Sequence, residues 1–266
     1  MNLTLIGHGY IGTAIAKRLY SEGLGFVWYH HDEPWTPCGG AIINAAGFTG
    51  SPNVDACEDR KTDCLRGNVL WPLEVQRRSC GLPVVHISSG CVYNGYEKEW
   101  TEDDPPNFDF TNGSFYSGSK ALAQEALMPF MNRSYLLRIR MPFGSEPHPK
   151  NYLTKLATYP KLIDVRNSLS RLSDVVDVAL HFVFAKAQAG IYNVCNPGSV
   201  KASEVSGKLG LTKKWFTQDE FKAAVKAPRS NCVLDTSKLQ KLFPIAPISI
   251  ALDEAVAAHK EFKEAA

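Results

Sequence analysis

The chain has 266 residues and a mass of 29.4 kDa, enough for one doubly wound α/β core and a smaller C-terminal lobe. Hydrophobic residues make up 44%, charged residues 21% and the net charge is +2, so composition gives no reason to expect nucleic acid or an anionic membrane as partner. The longest apolar stretch, 175–185, is interrupted by Asp177 and His181, and the N-terminus lacks signal-peptide features, so we expect no membrane span and a cytoplasmic location.

A glycine-rich turn follows the first predicted strand. The apolar run near 2–6 leads into Gly7-x-Gly9-x-x-Gly12, and an amphipathic helix is predicted over 10–21. In this context glycines allow the backbone to approach a pyrophosphate at the helix N-terminus. The pattern predicts a dinucleotide site, and a glycine-rich turn without a ligand is the alternative.

The next two predicted strands, near 25–29 and 41–45, are joined by a short connection. Only eleven residues separate Tyr29 from Ala41, and they include two prolines and a Gly-Gly pair. A helical crossover between parallel strands needs a dozen or more residues, so we predict no helix here. The connection begins with His30 and a second histidine ahead of an aspartate. Imidazoles could meet the 2′-phosphate of NADP, a carboxylate near this position would favour NAD, and a solvated loop is equally compatible with the histidines.

Small and hydroxyl-bearing residues end the following predicted strands. The strand near 41–45 runs into Ala-Ala-Gly47, and the strand near 83–88 ends in Ser88 and Ser89, with Cys91 two residues further on. In open α/β sheets, ligands lie at the carboxyl ends of the strands. We therefore expect these residues to line the binding cleft.

A predicted helix near 114–131 carries Tyr116 and Lys120. Residues at i and i+4 share one face of a helix, so a phenol and an ammonium lie side by side. The lysine charge favours the phenolate, and we expect it to lower the tyrosine pKa from about 10, which would suit a donor of protons to a carbonyl oxygen. The alternative is a helix surface with a lysine extended into solvent.

Alternating strands and helices up to about residue 145 predict a Rossmann-type doubly wound parallel sheet. We expect a dinucleotide-binding domain over 1–145 and a small α/β substrate lobe over 146–266, packed as one unit. The boundary is approximate, because the chain can return to the sheet after it. The other predicted elements are helices near 63–79, 149–159, 173–187, 202–208, 217–224 and 249–263, a strand near 135–140, and extended segments at 162–165, 190–194 and 230–234.

The seven cysteines suggest neither a disulfide framework nor a metal site. Their number is odd and no Cys-x-x-Cys spacing occurs. Except for Cys91, we expect them to be small, reduced and mostly buried hydrophobic residues.

The glycine turn, Asn-Ala-Ala-Gly47, Ser-Ser-Gly90 and the Tyr116/Lys120 pair occur in the order typical of the extended short-chain dehydrogenase/reductase family, which the chain resembles. Further segments resemble the bifunctional 3,5-epimerase/4-reductases of nucleotide-rhamnose synthesis and the single-function dTDP-4-dehydrorhamnose reductases. They are 47–58, 88–91, 112–117, 137–142, 150–155, 190–193 and 227–231. The family normally has a further strand and helix after the second strand, so the resemblance implies that this chain has lost them. The adenosine end of the cofactor site would then be more open.

The resemblance implies roles for individual residues in reduction. It implies NADP(H) as the cofactor, with NAD(H) as the alternative. It also implies that Tyr116 protonates the 4-oxygen of the sugar and that Ser89 hydrogen-bonds the same oxygen. Lys120 would tune Tyr116 and anchor the nicotinamide ribose, and Asn68 would lie beside it, unless it is a helix residue of no special function. The expected cofactor contacts are Gly7, Gly9, Tyr10, Ile11, Gly12, His30, Ala45, Ala46, Gly47, Asn68, Ser88, Tyr116, Lys120 and Pro142.

For epimerisation the resemblance implies Cys91 and Lys155 as proton exchangers, without deciding which is the base. A buried inert thiol and a solvated helix lysine are the alternatives. Arg229 is expected to clamp the substrate diphosphate, because a guanidinium fits phosphate oxygens. The expected substrate contacts are Thr49, Ser89, Cys91, Asn151, Arg229 and Asn231.

Several alternatives stay open. The chain could reduce without epimerising, or it could be a regulatory subunit on the same fold, which resembles the methionine adenosyltransferase β subunit; keeping Tyr116, Lys120, Ser89 and Cys91 together argues against the latter. The sequence does not distinguish a UDP sugar from a dTDP sugar. The family resemblance also implies a homodimer formed through the helices flanking the tyrosine.

Overall fold

The computed structural model describes residues 2–185 and 187–264. The strands are β1 (Leu3–Ile6), β2 (Phe26–Tyr29), β3 (Ile42–Asn44), β4 (Val84–Ser89), β5 (Gly95–Trp100), β6 (Tyr135–Ile139), β7 (Lys161–Ile163), β8 (Arg166–Asn167), β9 (Gly190–Asn193), β10 (Val200–Lys201), β11 (Lys214–Phe216) and β12 (Cys232–Leu234). The helices are α1 (Tyr10–Ser21), α2 (Ala56–Asp59), α3 (Lys61–Leu65), α4 (Trp71–Arg78), α5 (Phe115–Leu127), α6 (Tyr152–Thr158), α7 (Leu172–Phe184), α8 (Ala202–Lys208), α9 (Gln218–Ala224), α10 (Ser237–Gln240) and α11 (Ile248–Glu264). A π-helical turn, Arg66–Leu70, joins α3 to α4.

Six parallel strands form the central sheet, in the order β2-β1-β3-β4-β6-β9. Strands β1, β3 and β6 are buried along their whole length, as expected for a parallel sheet covered on both faces. Because β2 and β3 pair with opposite edges of β1, the strand order reverses there, and a crevice opens at the carboxyl ends of β1 and β3. The predicted Rossmann-type fold is therefore confirmed.

Helices cover both faces of the sheet. On one face, α1 and α7 pack on the strands through residues such as Ile15, Leu19 and Phe182. On the other, α4 packs through Val75 against β3 and β4, and α5 packs through Leu127 against β6. Between β2 and β3, residues 30–41 contain no helix, as the short connection predicted.

A second apolar core lies in the C-terminal half. Helices α6, α8 and α11 meet there through Leu153, Val205 and Leu252. Helix α7 and strand β9 come after residue 145 but belong to the central sheet layers, so the chain returns to the sheet in its C-terminal half. Helix α7 ends at Phe184, and residue 186, within the predicted helix 173–187, lies outside the described residues.

A short parallel ribbon links distant parts of the chain. The sequence predicted the extended segment 230–234 but neither β5 nor the pairing between them. Strand β12 pairs with β5, with Cys232 opposite Gly95 and Leu234 opposite Trp100. The ribbon brings the segment around residue 230 against the segment that follows β4, and so it helps to build the cleft.

Across residues 2–185 and 187–264, none of the helices has the length and apolar character needed to cross a bilayer.

Candidate active site

The glycine turn after β1 brings three backbone segments close together. Gly7 has φ +108, and a Cβ there would lie 2.7 Å from the Ala46 nitrogen. A Cβ at Gly12 would lie 2.0 Å from the Gly7 carbonyl oxygen, whereas the space beside Gly9 is open to 4 Å. Gly9 precedes α1 and offers no side chain to cap its first N–H groups. These features fit a dinucleotide whose pyrophosphate lies against the turn.

At the end of β2, histidines surround the expected adenosine end of the cofactor site. His30 is half-buried, with ring centroids 5.3 Å from His8 and 4.5 Å from His31. Its Nδ1 contacts the Asp32 carboxylate, and this hydrogen bond holds the pKa of Asp32 below its usual value. The imidazoles, which would favour NADP, and the carboxylate, which would favour NAD, therefore lie together.

Two buried amides shape the ends of β3 and its loop. The Asn44 Oδ1 accepts from the Ala46 N–H at 3.2 Å, and its Nδ2 lies 3.3 Å from the His86 Nδ1. Asn68 donates from Nδ2 to the Phe48 carbonyl at 2.8 Å and accepts from the Phe48 N–H at 3.0 Å. The loop holding Ala45, Ala46, Gly47 and the half-buried Thr49 is thus fixed from both sides.

Asn68 projects from the π-helical turn, where one extra residue widens the helix. Its Nδ2 also donates to the Ser119 Oγ at 3.1 Å. A Cβ at Gly47 would lie 3.3 Å from both the Asn68 Oδ1 and the Lys120 Nζ. Asn68 therefore lies beside Lys120, as the resemblance implied.

Helix α5 brings Tyr116 and Lys120 into the cleft. Ser114 caps the helix by accepting the Ser117 N–H at 3.1 Å. Tyr116 and Lys120 are 7% and 6% exposed, so neither is the solvated helix surface of the alternative interpretation. The Lys120 Nζ lies 5.8 Å from the Tyr116 ring centroid.

The predicted pKa direction for Tyr116 is wrong. Burial, together with the nearby Cys91 sulfur, raises the pKa of Tyr116, and a hydrogen bond with Ser89 only partly offsets this. Burial also lowers the pKa of Lys120 to about 8. Removal from water disfavours each charged form, and at this spacing it outweighs the attraction between ammonium and phenolate.

Cys91 follows Ser89 in a short turn at the end of β4. The Ser89 Oγ accepts the Cys91 N–H at 3.1 Å, and the half-buried Cys91 packs against the cluster that contains Tyr116. The sulfur is therefore on the tyrosine side of the cleft. Cys57 and Cys64 lie in the same cluster but are fully buried.

Lys155 lies on α6 and is half-buried. Burial, and then the charge of Lys150, lower its pKa to about 8, and the Cys91 sulfur acts in the opposite direction. A lysine with this pKa can both give and take a proton near neutral pH.

The other expected substrate contacts are engaged within the protein. Asn151 is fully buried and caps α6: its Oδ1 accepts from Leu153, and its Nδ2 donates to the Gly144 and Glu146 carbonyls. The structure thus gives Asn151 a capping role in place of the expected substrate contact. Its amide has no free donor to offer a substrate.

Arg229 and Asn231 also form bonds to other groups of the protein. Arg229 forms an ion pair with Asp55 at 2.6 Å, so a diphosphate would have to compete with this carboxylate. The Asn231 Oδ1 accepts from Asn167 at 3.0 Å, while its Nδ2 donates to the Arg229 carbonyl at 3.3 Å. Both residues remain half-buried at the rim of the cleft.

Sequence reasoning did not assign Arg140 or Ser230 to the site. Both are buried, and the Arg140 Nη1 lies 2.7 Å from the Ser230 Oγ and 3.6 Å from the Cys91 Sγ. Each lies in a segment that resembles the family, 137–142 and 227–231, but only the pairing of β12 with β5 brings them together.

Comparisons with known proteins identify relatives of the chain. Residues 37–259 match the family described as the RmlD substrate binding domain. A bifunctional dTDP-4-dehydrorhamnose 3,5-epimerase/dTDP-4-dehydrorhamnose reductase of Arabidopsis thaliana is 36% identical over 219 residues, which cover 76% of this chain and 71% of that protein. A trifunctional UDP-glucose 4,6-dehydratase/UDP-4-keto-6-deoxy-D-glucose 3,5-epimerase/UDP-4-keto-L-rhamnose-reductase of the same plant is also 36% identical over 219 residues, but the match spans only 32% of that longer protein and 76% of this chain.

Solved structures share the fold. The UDP-rhamnose synthase of Acanthamoeba polyphaga mimivirus has a TM-score of 0.88 and 26% identity, with 97% of this chain and 100% of that chain covered. More distant structures of this fold, at 16% to 19% identity, contain NADP, NADPH or NAD. The extent of the family match and the identity to the plant relatives establish that the chain belongs to the RmlD substrate binding domain family.

Proposed function

We propose that the protein converts a nucleotide-4-keto-6-deoxy-D-glucose to the nucleotide-L-rhamnose by 3,5-epimerisation and NADPH-dependent 4-keto reduction. The observation that carries the proposal is that Cys91 packs in one cluster with Tyr116 and is hydrogen-bonded through its N–H to Ser89, while the Lys120 Nζ lies 5.8 Å from the tyrosine ring. The charge of Cys91 also acts on the pKa of Lys155. A reductase needs the hydroxyl pair, and an epimerase needs proton exchangers next to the same ketone.

In the reductive step, Tyr116 donates its phenolic proton to the sugar 4-oxygen, and Ser89 hydrogen-bonds that oxygen. When bound, NADPH supplies the hydride. Gly7, Gly9 and Gly12 would receive its pyrophosphate, and Lys120 its nicotinamide ribose. Lys120 also provides a positive charge that compensates the negative charge left on Tyr116.

In the epimerisation, Cys91 and Lys155 exchange protons with the carbons on either side of the ketone. Those hydrogens are acidic because their removal gives an enolate, whose oxygen Tyr116 and Ser89 can hydrogen-bond. Inversion requires that a proton leave one face of the carbon and another arrive on the opposite face.

We propose UDP as the nucleotide and NADPH as the reductant. The solved structure with a TM-score of 0.88 is a UDP-rhamnose synthase, and relatives of this fold contain NADP and NADPH. Comparing kcat/KM for the UDP and dTDP substrates, and for NADPH and NADH, tests both choices.

The decisive experiment is incubation with UDP-4-keto-6-deoxy-D-glucose in deuterated water without NADPH. We expect deuterium at C3 and C5, followed by UDP-L-rhamnose once NADPH is added. Reduction without deuterium incorporation would leave only the 4-keto reductase activity. Absence of both activities, together with a co-purifying partner enzyme, would favour a regulatory subunit.

We also propose a homodimer formed through α5, in the cytoplasm. Leu122 on α5 and Met128 just after its end are 40% and 50% exposed, and they line a groove of about 830 Å³. Light scattering on the purified protein, with Leu122→Lys as the disruptive variant, tests the dimer.

A further inference from the structure

Two histidines and a carboxylate converge just after the end of β2. In the part of the chain that the structure describes, His30, His31 and Asp32 form the one group of three histidine, cysteine or acidic side chains whose ligand atoms all lie within 4.8 Å of one another. His31 and Asp32 are exposed and His30 is half-buried, so solvent reaches the group. Imidazole nitrogens and carboxylate oxygens are donors that Zn²⁺ binds in proteins.

A tight turn explains why three consecutive residues converge. The His30 carbonyl accepts the Glu33 N–H at 3.3 Å, and the Glu33 carboxylate accepts the His30 N–H at 3.0 Å. The chain therefore reverses within four residues, which brings the side chains of the turn together. These two hydrogen bonds use neither the imidazoles nor the Asp32 carboxylate, so the turn is fixed without using the donors of the group.

The contact between His30 and Asp32 brings two metal-binding atoms to one point. The His30 Nδ1 is hydrogen-bonded to the Asp32 Oδ1. A metal ion can replace the proton between them, because it binds the same nitrogen and oxygen lone pairs. Ligand atoms of a tetrahedral ion with bonds of about 2.1 Å lie about 3.4 Å apart. Rotation of the exposed His31 and Asp32 side chains can close the group from 4.8 Å to this separation.

The group lies beside the glycine turn. His8, between Gly7 and Gly9, has its ring centroid 5.3 Å from that of His30. Trp28 on β2 packs edge-on against His8, with ring centroids 4.1 Å apart, and donates from Nε1 to the Gly7 carbonyl at 3.0 Å. In this fold the residues after the second strand meet the 2′ position of the adenosine ribose. An ion bound by the group would therefore be next to that position.

A bound ion would reverse the charge of the group. Imidazoles are mostly neutral above about pH 7, whereas an aspartate is negative. The Asp32 carboxylate alone repels the 2′-phosphate of NADP and can accept a hydrogen bond from the 2′-hydroxyl of NAD. A divalent ion more than cancels this charge, and three protein ligands leave one tetrahedral position that a phosphate oxygen can fill. The same residues would thus favour NAD without the ion and NADP with it.

We propose that His30, His31 and Asp32 bind a divalent transition-metal ion, with Zn²⁺ the best fit to two imidazoles and a carboxylate, and that this ion makes the cofactor site prefer a 2′-phosphate. The metal site stands independently of the proposed function. The preference for a 2′-phosphate rests on that function, because it uses NADPH.

Metal binding is measured alone, by calorimetric titration of the EDTA-treated protein with Zn²⁺. We expect one ion per chain to bind at the group. His31→Gln should weaken this binding at least about tenfold, because even residues behind the ligands contribute that much to metal affinity. Asp32→Asn should act in the same direction. Equal Zn²⁺ binding by wild type and His31→Gln would overturn the proposal.

Two control variants separate this site from other metal-binding side chains. His181→Gln removes a histidine of α7 that is not in the group, and Cys80→Ser removes an exposed thiol. Neither should change the binding that His31→Gln weakens, and its loss in either control would overturn the proposal. Co²⁺ gives a second measurement, because a thiolate ligand adds a strong near-ultraviolet band that imidazole and carboxylate ligands do not. We expect no such band for the ion that His31→Gln loses, and its presence would also overturn the proposal.

The effect on the cofactor is measured as binding of NADP⁺ and NAD⁺ without a sugar. We expect Zn²⁺, compared with EDTA, to tighten NADP⁺ binding at least about tenfold through its charge, and not to tighten NAD⁺ binding. His31→Gln should abolish the gain, which controls for Zn²⁺ bound to the free dinucleotide. Zn²⁺ that tightens both dinucleotides equally, or that weakens NADP⁺ binding, would overturn the role given to the ion.

Deuterium exchange distinguishes failure of this proposal from failure of the proposed function. Exchange into the 4-keto sugar needs neither NADPH nor the ion, so it should be the same in EDTA and in His31→Gln. Zn²⁺ binding at the group without exchange would refute the epimerisation and leave the metal site. Exchange without Zn²⁺ binding at the group would refute the metal site and leave the proposed function.

Discussion

The Tyr116 phenol is held in its proton-carrying form. Burial raises its pKa, so the group stays neutral until an oxygen more basic than the phenolate forms next to it. A sugar alkoxide produced by reduction is such an oxygen. The surroundings of Tyr116 therefore suit proton donation at the end of the reaction, and they oppose early loss of the proton to solvent.

Replacing Tyr116 separates the two chemical steps. We expect Tyr116→Phe to lower the reduction rate by at least about a hundredfold, because a positioned general acid is lost. Deuterium exchange at C3 and C5 should be slowed but should persist, since Cys91 and Lys155 are intact and Ser89 can still hydrogen-bond the enolate oxygen. NADPH oxidation and mass spectrometry of the sugar measure the two effects.

The control for this variant is Tyr135→Phe. The Tyr135 hydroxyl donates to the Ala187 carbonyl at 2.7 Å, away from the cleft. Equal loss of reduction in both variants would contradict the role of Tyr116.

The pH dependence of inversion should report on Lys155. Its pKa of about 8 means that it is an ammonium below that pH and a neutral amine above it. When Lys155 gives the proton in an inversion step it must be protonated, so the rate of that step should fall as the pH rises through about 8. Lys150 lowers this pKa by charge repulsion, and Lys150→Met should therefore move the alkaline decline to higher pH.

Lys208→Met is the comparison, because Lys208 pairs with Asp253 on the surface of the C-terminal half. An alkaline limb that stays in place in Lys150→Met, or that moves equally in Lys208→Met, would argue against this assignment.

Among the elements, β3, β4 and α4 are joined by a buried polar chain. The His86 ring lies between the Asn44 amide, at 3.3 Å, and the Gln76 Oε1, at 3.2 Å. Burial, and then the charge of Lys120, lower the pKa of His86 to about 3. The imidazole is therefore neutral in the folded protein at every pH near neutrality.

This neutral histidine makes stability depend on pH. Below about pH 6.5, His86 binds a proton in the unfolded chain but not in the folded one, so the free energy of unfolding falls as the pH drops. The full contribution is present above about pH 6.5, and each unit below it costs about 1.4 kcal/mol. Urea unfolding at several pH values should show this slope in the wild type and a flatter one in the non-titrating variant His86→Gln. Equal slopes would contradict it.

Elements set by local sequence were predictable, and those set by distant contacts were not. The glycine turn, α1, the strand ends and the Tyr116 helix each depend on the spacing of neighbouring residues. The partner of β12, and with it the contact from Arg140 to Cys91, depends on where two remote segments meet. Likewise the Tyr116 pKa follows from burial, which the spacing of a tyrosine and a lysine does not reveal.

At the scale of the whole molecule, the two halves share one sheet. Strand β9 pairs with β6, and α7 covers the face that β6 and β1 present, although both elements come after residue 145. The side chains of Val175 and Phe182 complete the main core. The N-terminal segment by itself would therefore leave a large apolar surface exposed.

We expect the fragment 1–145 to aggregate or to unfold without a cooperative transition when it is expressed alone. Removing α7 and β9 takes away the apolar contacts that offset the entropy of ordering the sheet. Circular dichroism during heating, with the full chain as reference, measures this. A folded fragment 1–145 that melts cooperatively would show instead that the predicted domain boundary is real.

The short connection between β2 and β3 has a practical consequence. Its residues 31–34 are exposed, and residues 30–41 contain no helix. A nucleotide coupled to a resin or a dye through its adenine ring needs such an unobstructed exit for the tether. We therefore expect immobilised adenosine bisphosphates to retain this protein, and tethered cofactors to turn over while the sugar enters from the other end.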